Sequence, residues 1–244
     1  MPRYFIEVSY KGTGYAGFQI QQNANTVQAE VEKALKTYFR KTIDLTGSSR
    51  TDAGVHARQN FLHFDADLIN DEILLKAVYH INAILPFDIV VKSIKRMPDT
   101  AHCRFDAISR SYQYTIFQSK DPFLNDVGYY YPYNLNVDDL QKAAALLFNY
   151  TDFETFAKKN NQAHTNICNI QQSIWLQQAD CIIYNVTANR FLRGMVRGLV
   201  GTMLKVGRGI HTLEDFQKTI ESKNPSKADF STPPQGLTLL SVNF

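Results

Sequence analysis

Stretches of period two and stretches of helical period alternate along this chain, and the order runs through twice. Tyr4, Ile6, Val8 and Tyr10 alternate with Phe5, Glu7 and Ser9, as in a half-buried strand. Val27, Val31, Leu35 and Phe39 then recur at i, i+4, i+8 and i+12 behind Asn25 or Thr26, which predicts a capped helix. Ile43 to Thr46 and Gln59 to Asp65 read as strands. Ile73, Leu74, Ala77, Val78 and Ile81 form a second helix ending before Pro86, and Phe87 to Ile94 an apolar strand. In the second run, Ser111 to Phe117 is a strand with Tyr112, Tyr114 and Ile116 on one face. Val137 to Phe148 is a helix with Leu140, Ala143, Ala144 and Leu147 inward. Strands at Ile167 to Leu176 and Cys181 to Ala188, helices at Phe191 to Val206 and Leu213 to Ile220, and a strand at Leu237 to Phe244 follow. Two such runs predict an α+β fold with mostly antiparallel sheet, divided into an N-terminal half over 1–104 and a C-terminal half over 105–244.

Several function classes fall away on composition. With 244 residues the chain buries a sizeable core, and no apolar run approaches the ~20 residues needed to span a bilayer. Met1-Pro2-Arg3-Tyr4 enters a strand pattern at once, so no signal peptide is expected and a cytoplasmic address is the default. Cys103, Cys168 and Cys181 are odd in number and lack CxxC spacing, and so read as reduced thiols. The six histidines make no HxH or HxxxH pair, so no metal site is expected. The net charge of +3 is only weak evidence for a polyanionic partner; where the cations sit matters more.

Four constellations carry chemistry. Ser49-Arg50-Thr51-Asp52-Ala53-Gly54-Val55-His56 sets one carboxylate between an arginine and an Ala-Gly turn. A lone carboxylate with a cationic neighbour suits a nucleophile better than a general acid, although Asp and Gly also make ordinary turns. Arg190, Arg193 and Arg197 step by three and four along the expected helix, near the end where its dipole disfavours cations by roughly 0.3–1 kcal/mol each, which points to an anionic partner, a buried carboxylate or a phosphate, unless the three form an ordinary solvated basic face. Gly194, Gly198 and Gly201 align on the same element and predict a backbone packed close against it. Arg104-Phe105-Asp106-Ala107 and Ser109-Arg110-Ser111-Tyr112-Gln113-Tyr114 interleave bases and aromatics as RNA binding requires, with Tyr114 read as a core residue. Lys158-Lys159 and Lys205 with Arg208 are further candidate phosphate contacts. Pro233-Pro234-Gln235-Gly236-Leu237 is a rigid turn able to set Leu237 against a base. Asn160 to Asn169 and Ser222 to Gln235 read as long loops.

In this order the motifs resemble the tRNA pseudouridine synthase A family over nearly the whole chain. They are Tyr10-Lys11-Gly12-Thr13-Gly14-Tyr15-Ala16-Gly17-Phe18-Gln19, Thr26-Val27-Gln28 with Glu32, Arg50 to His56, Ala101 to Phe105, Tyr112-Gln113-Tyr114, Asp152-Phe153, Phe191 with Met195-Val196-Arg197 and Gly201, and Pro234 to Leu237. The resemblance implies two ferredoxin-like halves sharing a central sheet, with the active site in a cleft between them. It also implies a cofactor-free isomerase that makes pseudouridine at positions 38, 39 and 40 of the tRNA anticodon stem-loop, working as a homodimer. It casts Asp52 as the catalytic aspartate, Arg50 as displacing the target base, Tyr112 as stacking on the flipped uracil, Arg197 as holding Asp52 ionised, and Leu237 as contacting the uracil ring. The chain departs from the family pattern at Lys11, Phe18, Ser49 and Gly198, outside that set. Two other readings of the residues are a non-catalytic RNA-binding protein on the same fold and a nucleoside-type hydrolase using a single Asp.

Overall fold

The computed structural model describes residues 1–67, 71–158 and 164–244. Contacts cluster into two compact units, one of 1–108 with 239–244 and one of 109–238. The first division of the chain thus falls four residues beyond the expected 104/105, and the last six residues belong with the first unit rather than the second.

In the first unit the order is β1 (Arg3–Tyr10), α1 (Val27–Phe39), β2 (Thr46–Gly47), β3 (His56–Asp65), α2 (Asp71–Ile84) and β4 (Ile89–Met97). This is the βαββαβ plan of ferredoxin-like domains. β1 lies between β4 and β3, antiparallel to both, and β2 pairs with the other side of β3. The alternation of β1 puts Ile6, Val8 and Tyr10 in the core as expected; Phe5 is buried too, because Phe244 and His63 cover it at ring-centroid distances of 5.4 and 6.1 Å. Thr26 caps α1 by accepting from the Ala29 N–H. From the first turns of α1, Gln28 donates to the Leu45 carbonyl at 2.8 Å and Glu32 accepts the Leu45 N–H at 3.2 Å, which fixes the chain just before β2. α2 packs on α1 and on β4. The inward place expected for the Ile73 side chain lies outside the described residues. Phe87, assigned to a strand, precedes β4 and is fully exposed, because Pro86 and a turn end α2 there.

The second unit holds β5 (Ser109–Phe117), β6 (Tyr129–Tyr130), α3 (Val137–Leu146), β7 (Ile170–Gln178), β8 (Cys181–Ala188), α4 (Met195–Gly207), α5 (Leu213–Glu221) and the start of β9 (Leu237–Asn243). β8 pairs antiparallel with β5 and β7, and β6 pairs parallel with β5. α3 packs on β7, α4 and α5, with Leu140, Ala143, Ala144 and Leu147 buried. Several expected elements differ in extent: the strand expected over Ile43–Thr46 is only Thr46–Gly47, the one expected from Ile167 begins at Ile170, and the helix expected to reach Phe148 ends at Leu146. The helix expected from Phe191 does not begin there, because Gly194 at φ +74° forms its N-cap and the Met195 N–H closes a turn onto the Leu192 carbonyl. Arg190 and Arg193 therefore precede α4 and do not share its face with Arg197. The Asn-rich loop is described only from His164 onward. Among the described residues no helix is long and apolar enough to cross a membrane, and no group of three or more His, Cys, Asp or Glu is placed to hold a metal ion.

Candidate active site

The Asp52 motif fills the connection between β2 and β3. Asp52 opens a turn in which its carbonyl accepts the Val55 N–H at 3.1 Å, and Gly54 supplies φ +79° at the third position, where a side chain would be strained. Asp52 is half-buried and Arg50 exposed, while Ser49, Thr51, Val55 and His56 are buried. Alternate residues thus anchor the loop and present the two charged ones.

Two sets of contacts hold it. Asn60, fully buried on β3, donates to the Ser49 carbonyl at 3.1 Å and to the Tyr10 hydroxyl at 3.3 Å, and accepts from the Ser48 hydroxyl at 2.8 Å. The Tyr10 hydroxyl in turn meets the Thr51 hydroxyl at 2.8 Å. A buried polar network of this kind rigidifies its segment, though the buried Ser49 hydroxyl within it makes no hydrogen bond among the described residues. The second set comes from the glycine-rich loop after β1. The Gly12 N–H donates to His56 Nδ1 at 2.9 Å, and the Phe18 N–H to the Thr51 carbonyl at 3.1 Å. A Cβ on Gly12 would overlap the Val55 carbonyl, and one on Gly17 would stand 3.1 Å from the Thr51 carbonyl and 3.3 Å from the Ala53 nitrogen. These glycines let one backbone lie against the other. The loop is tied at its far side by Tyr15, which donates to Asp88 at 2.6 Å; burial and that carboxylate push the tyrosine pKa up. Tyr10, Gly12, Gly17 and Asn60 had no site role in the sequence reading. The two glycines were the available signal, but a lone Asn in a strand pattern gives none.

Tyr112, Arg197 and Leu237 lie in the second unit. Tyr112, on β5, is half-buried and meets Phe191 edge-on at 5.1 Å between ring centroids. Arg197 sits in the first turn of α4, where its Nε donates to the Thr232 carbonyl at 2.7 Å and Nη2 to the Phe230 carbonyl at 3.4 Å; Thr232 Oγ1 donates back to the Arg197 carbonyl at 3.0 Å. These acceptors offset the unfavourable helix dipole. The expected close backbone approach falls on the same element: a Cβ on Gly201 would overlap the Asp229 carbonyl, and one on Gly198 would stand 2.7 Å from the Phe230 ring. Segment 229–232 is thus strapped along α4, with the Asp229 N–H also donating to Thr202 Oγ1 at 3.0 Å. Leu237 is buried just after a 3-10 turn at Pro234–Gly236. Tyr114 pins that turn by donating to the Pro233 carbonyl at 2.7 Å, and its fully buried ring leaves Gly236 no space for a Cβ. It is a core residue, as its position predicts.

The other basic and aromatic candidates divide. Arg104 lies over the Phe105 ring at 5.8 Å, and Phe105 is three-quarters exposed. Arg110 is half-buried and donates to the Asn189 carbonyl at 3.1 Å. Lys205 pairs with Asp229 at 3.2 Å, and Arg208 stacks on Tyr133 at 3.8 Å. Lys159 lies outside the described residues.

A family model described as tRNA pseudouridine synthase matches residues 6–106 and 143–244. Over 245 residues the chain is 42% identical to tRNA pseudouridine synthase A of Parabacteroides distasonis, covering 100% of this chain and 96% of that protein. It is 40% identical to the protein of the same name from Bacteroides thetaiotaomicron, covering 100% of this chain and 91% of that one. To that of Staphylococcus aureus it is 36% identical, covering 97% of this chain and 90% of the other. Among solved structures, a chain of a partial Cas6-RT-Cas1–Cas2 complex overlaps at a TM-score of 0.23 and 10% identity, covering 85% of this chain and 44% of that one, too loosely to bear on the fold. With a family model spanning most of its length and full-length relatives at this identity, the chain belongs to the tRNA pseudouridine synthase family.

Proposed function

We propose that this protein isomerises uridine to pseudouridine in tRNA, at positions 38, 39 and 40 of the anticodon stem-loop. The observation that carries the reading is Asp52 itself, a half-buried carboxylate on a turn fixed from both sides, in a chain of this family. The reaction breaks the bond between ribose C1′ and uracil N1, turns the base, and joins C1′ to C5. N1 gains a proton and C5 releases one, with no net redox change or hydrolysis.

The target uridine must leave its stack, at a cost of a few kcal/mol. Arg50 enters the space vacated by the base. Tyr112 stacks on the flipped uracil, which offsets about 1–3 kcal/mol of that cost. Leu237 packs on the uracil ring, and Arg197 serves as a substrate-binding cation. Asp52 is the catalytic group. Attack on C1′, addition to uracil C6 and removal of the C2′ proton are the three routes open to a carboxylate, and all need it ionised. The protein works in the cytoplasm as a homodimer, so light scattering should return twice the chain mass of 27.8 kDa.

Mapping of pseudouridines in a tRNA transcript incubated with the purified protein tests the reading. New pseudouridine confined to positions 38–40 is expected. Bound tRNA with no new pseudouridine would make the protein an RNA-binding module, and free uracil would make it a hydrolase.

A further inference from the structure

Beside the start of α4 lies a cavity of about 350 Å³, lined by Lys158, Arg193, Pro225, Ser226 and Phe230. Its volume is at the small end of ligand pockets, which run from roughly 300 to 1,000 Å³. Two of the five lining residues are cations and none is an acid. The lysine is set in place. Its N–H donates to the Arg193 carbonyl at 2.9 Å, and its stem lies where a Cβ on Gly194 would stand, 2.9 Å from Cγ. Its ammonium reaches to 5.7 Å from the centre of the Phe230 ring. Phe230 belongs to the strap along α4, and its carbonyl accepts from Arg197 at 3.4 Å.

Cations beside an aromatic ring are the combination that holds an unpaired nucleotide, the charges taking phosphate and the ring taking the face of a base. We propose that this cavity binds one unpaired nucleotide of the tRNA substrate, with its phosphodiester on Lys158 and Arg193 and its base against Phe230. An occupant bearing on Phe230 also steadies the strap whose carbonyls orient Arg197. The proposal rests on tRNA being the substrate and adds to it a second contact point.

The test uses the full-length protein. Lys158→Gln with Arg193→Gln should weaken tRNA binding roughly tenfold. The plot of log affinity against log salt should become shallower by roughly 0.7–0.9, the value for one phosphate contact. Wild-type affinity and slope in the double variant would overturn the proposal, and so would weakened binding with an unchanged slope. Phe230→Leu should weaken binding and Phe230→Tyr restore it; equal affinity for the two would remove the base from the cavity. The wild-type protein supplies a second readout that does not depend on how a variant folds. Acetylation of Lys158, followed by mass spectrometry, should slow several-fold when tRNA is bound, and an unchanged rate would contradict the proposal. Protection of Lys158 without pseudouridine formation would defeat the enzymatic reading and leave the cavity standing. Pseudouridine formation without protection would defeat the cavity alone.

Discussion

At the scale of single residues, a motif can be read while its support cannot. Asp52 and Arg50 stand out because their chemistry is local, within seven residues. Asn60 and Tyr10 hold them in place from 50 residues apart in sequence, and periodicity alone assigned Tyr10 to the core face. Asn60→Asp keeps the shape and removes both donors, leaving the Ser49 carbonyl and the Tyr10 hydroxyl short of a partner. It should cost roughly 1–3 kcal/mol of stability in urea unfolding and lower the rate of pseudouridine formation. Wild-type stability and rate would remove the network from the account. Gly12→Ala sets a methyl against the Val55 carbonyl, a backbone atom that cannot rotate away. Overpacking of this kind costs roughly 1–3 kcal/mol. The turn carrying Asp52 should shift, so activity should fall at least tenfold at temperatures where circular dichroism still reports a folded chain.

At the scale of elements, the apolar spacing of Phe191, Leu192, Met195 and Val196 runs straight through the true start of α4. Hydrophobic period does not register a glycine in the left-handed region, and Gly194 at φ +74° is what stops the helix. Gly198 and Gly201 nonetheless signalled the strap correctly, since both trade helix propensity for a close neighbour on it. Gly201→Ala should gain about 1 kcal/mol of helix propensity and lose more, because the Asp229 carbonyl occupies the space. The strap then lifts, Arg197 loses its carbonyl acceptors, and kcat/KM should drop by about tenfold or more while the melting temperature falls only a few degrees. On β3, His63 faces Cys103 Sγ at 3.1 Å. Burial, with Arg3 and His102 nearby, lowers its pKa to about 4, against the pull of Asp65 and Asp106. The unfolded chain takes up a proton near pH 6.5 that the folded chain refuses, so stability should decline as pH falls from about 6.5 to about 4. The decline should be on the order of 1–3 kcal/mol, and His63→Asn should flatten it in urea titrations across that range. An unchanged slope in the variant would assign the pH dependence to other groups.

At the scale of the whole molecule, the α+β class and nearly every element were legible, because each is a short periodic segment with its own start and stop signals. The division into units was less so. Residues 239–244 return to the first unit, where Phe244 meets Phe5 and Phe61 at ring-centroid distances of 5.4 and 5.1 Å. No local pattern encodes contacts across more than 180 residues. The two-residue β6 is too short to show a period, and its parallel pairing with β5 has no turn signal. Charge behaves in the same way: a net +3 does not say where cations gather, and the fold sets Lys158 over Phe230 and Arg208 over Tyr133. The central claim is that Asp52 carries out the isomerisation. Its most direct test is tritium release from tRNA labelled at uracil C5, since C5 gives up its hydrogen when it bonds to C1′. The wild-type protein should release tritium in step with pseudouridine formation, and Asp52→Asn should bind the tRNA and release none. Tritium release by that variant at the wild-type rate would contradict the account.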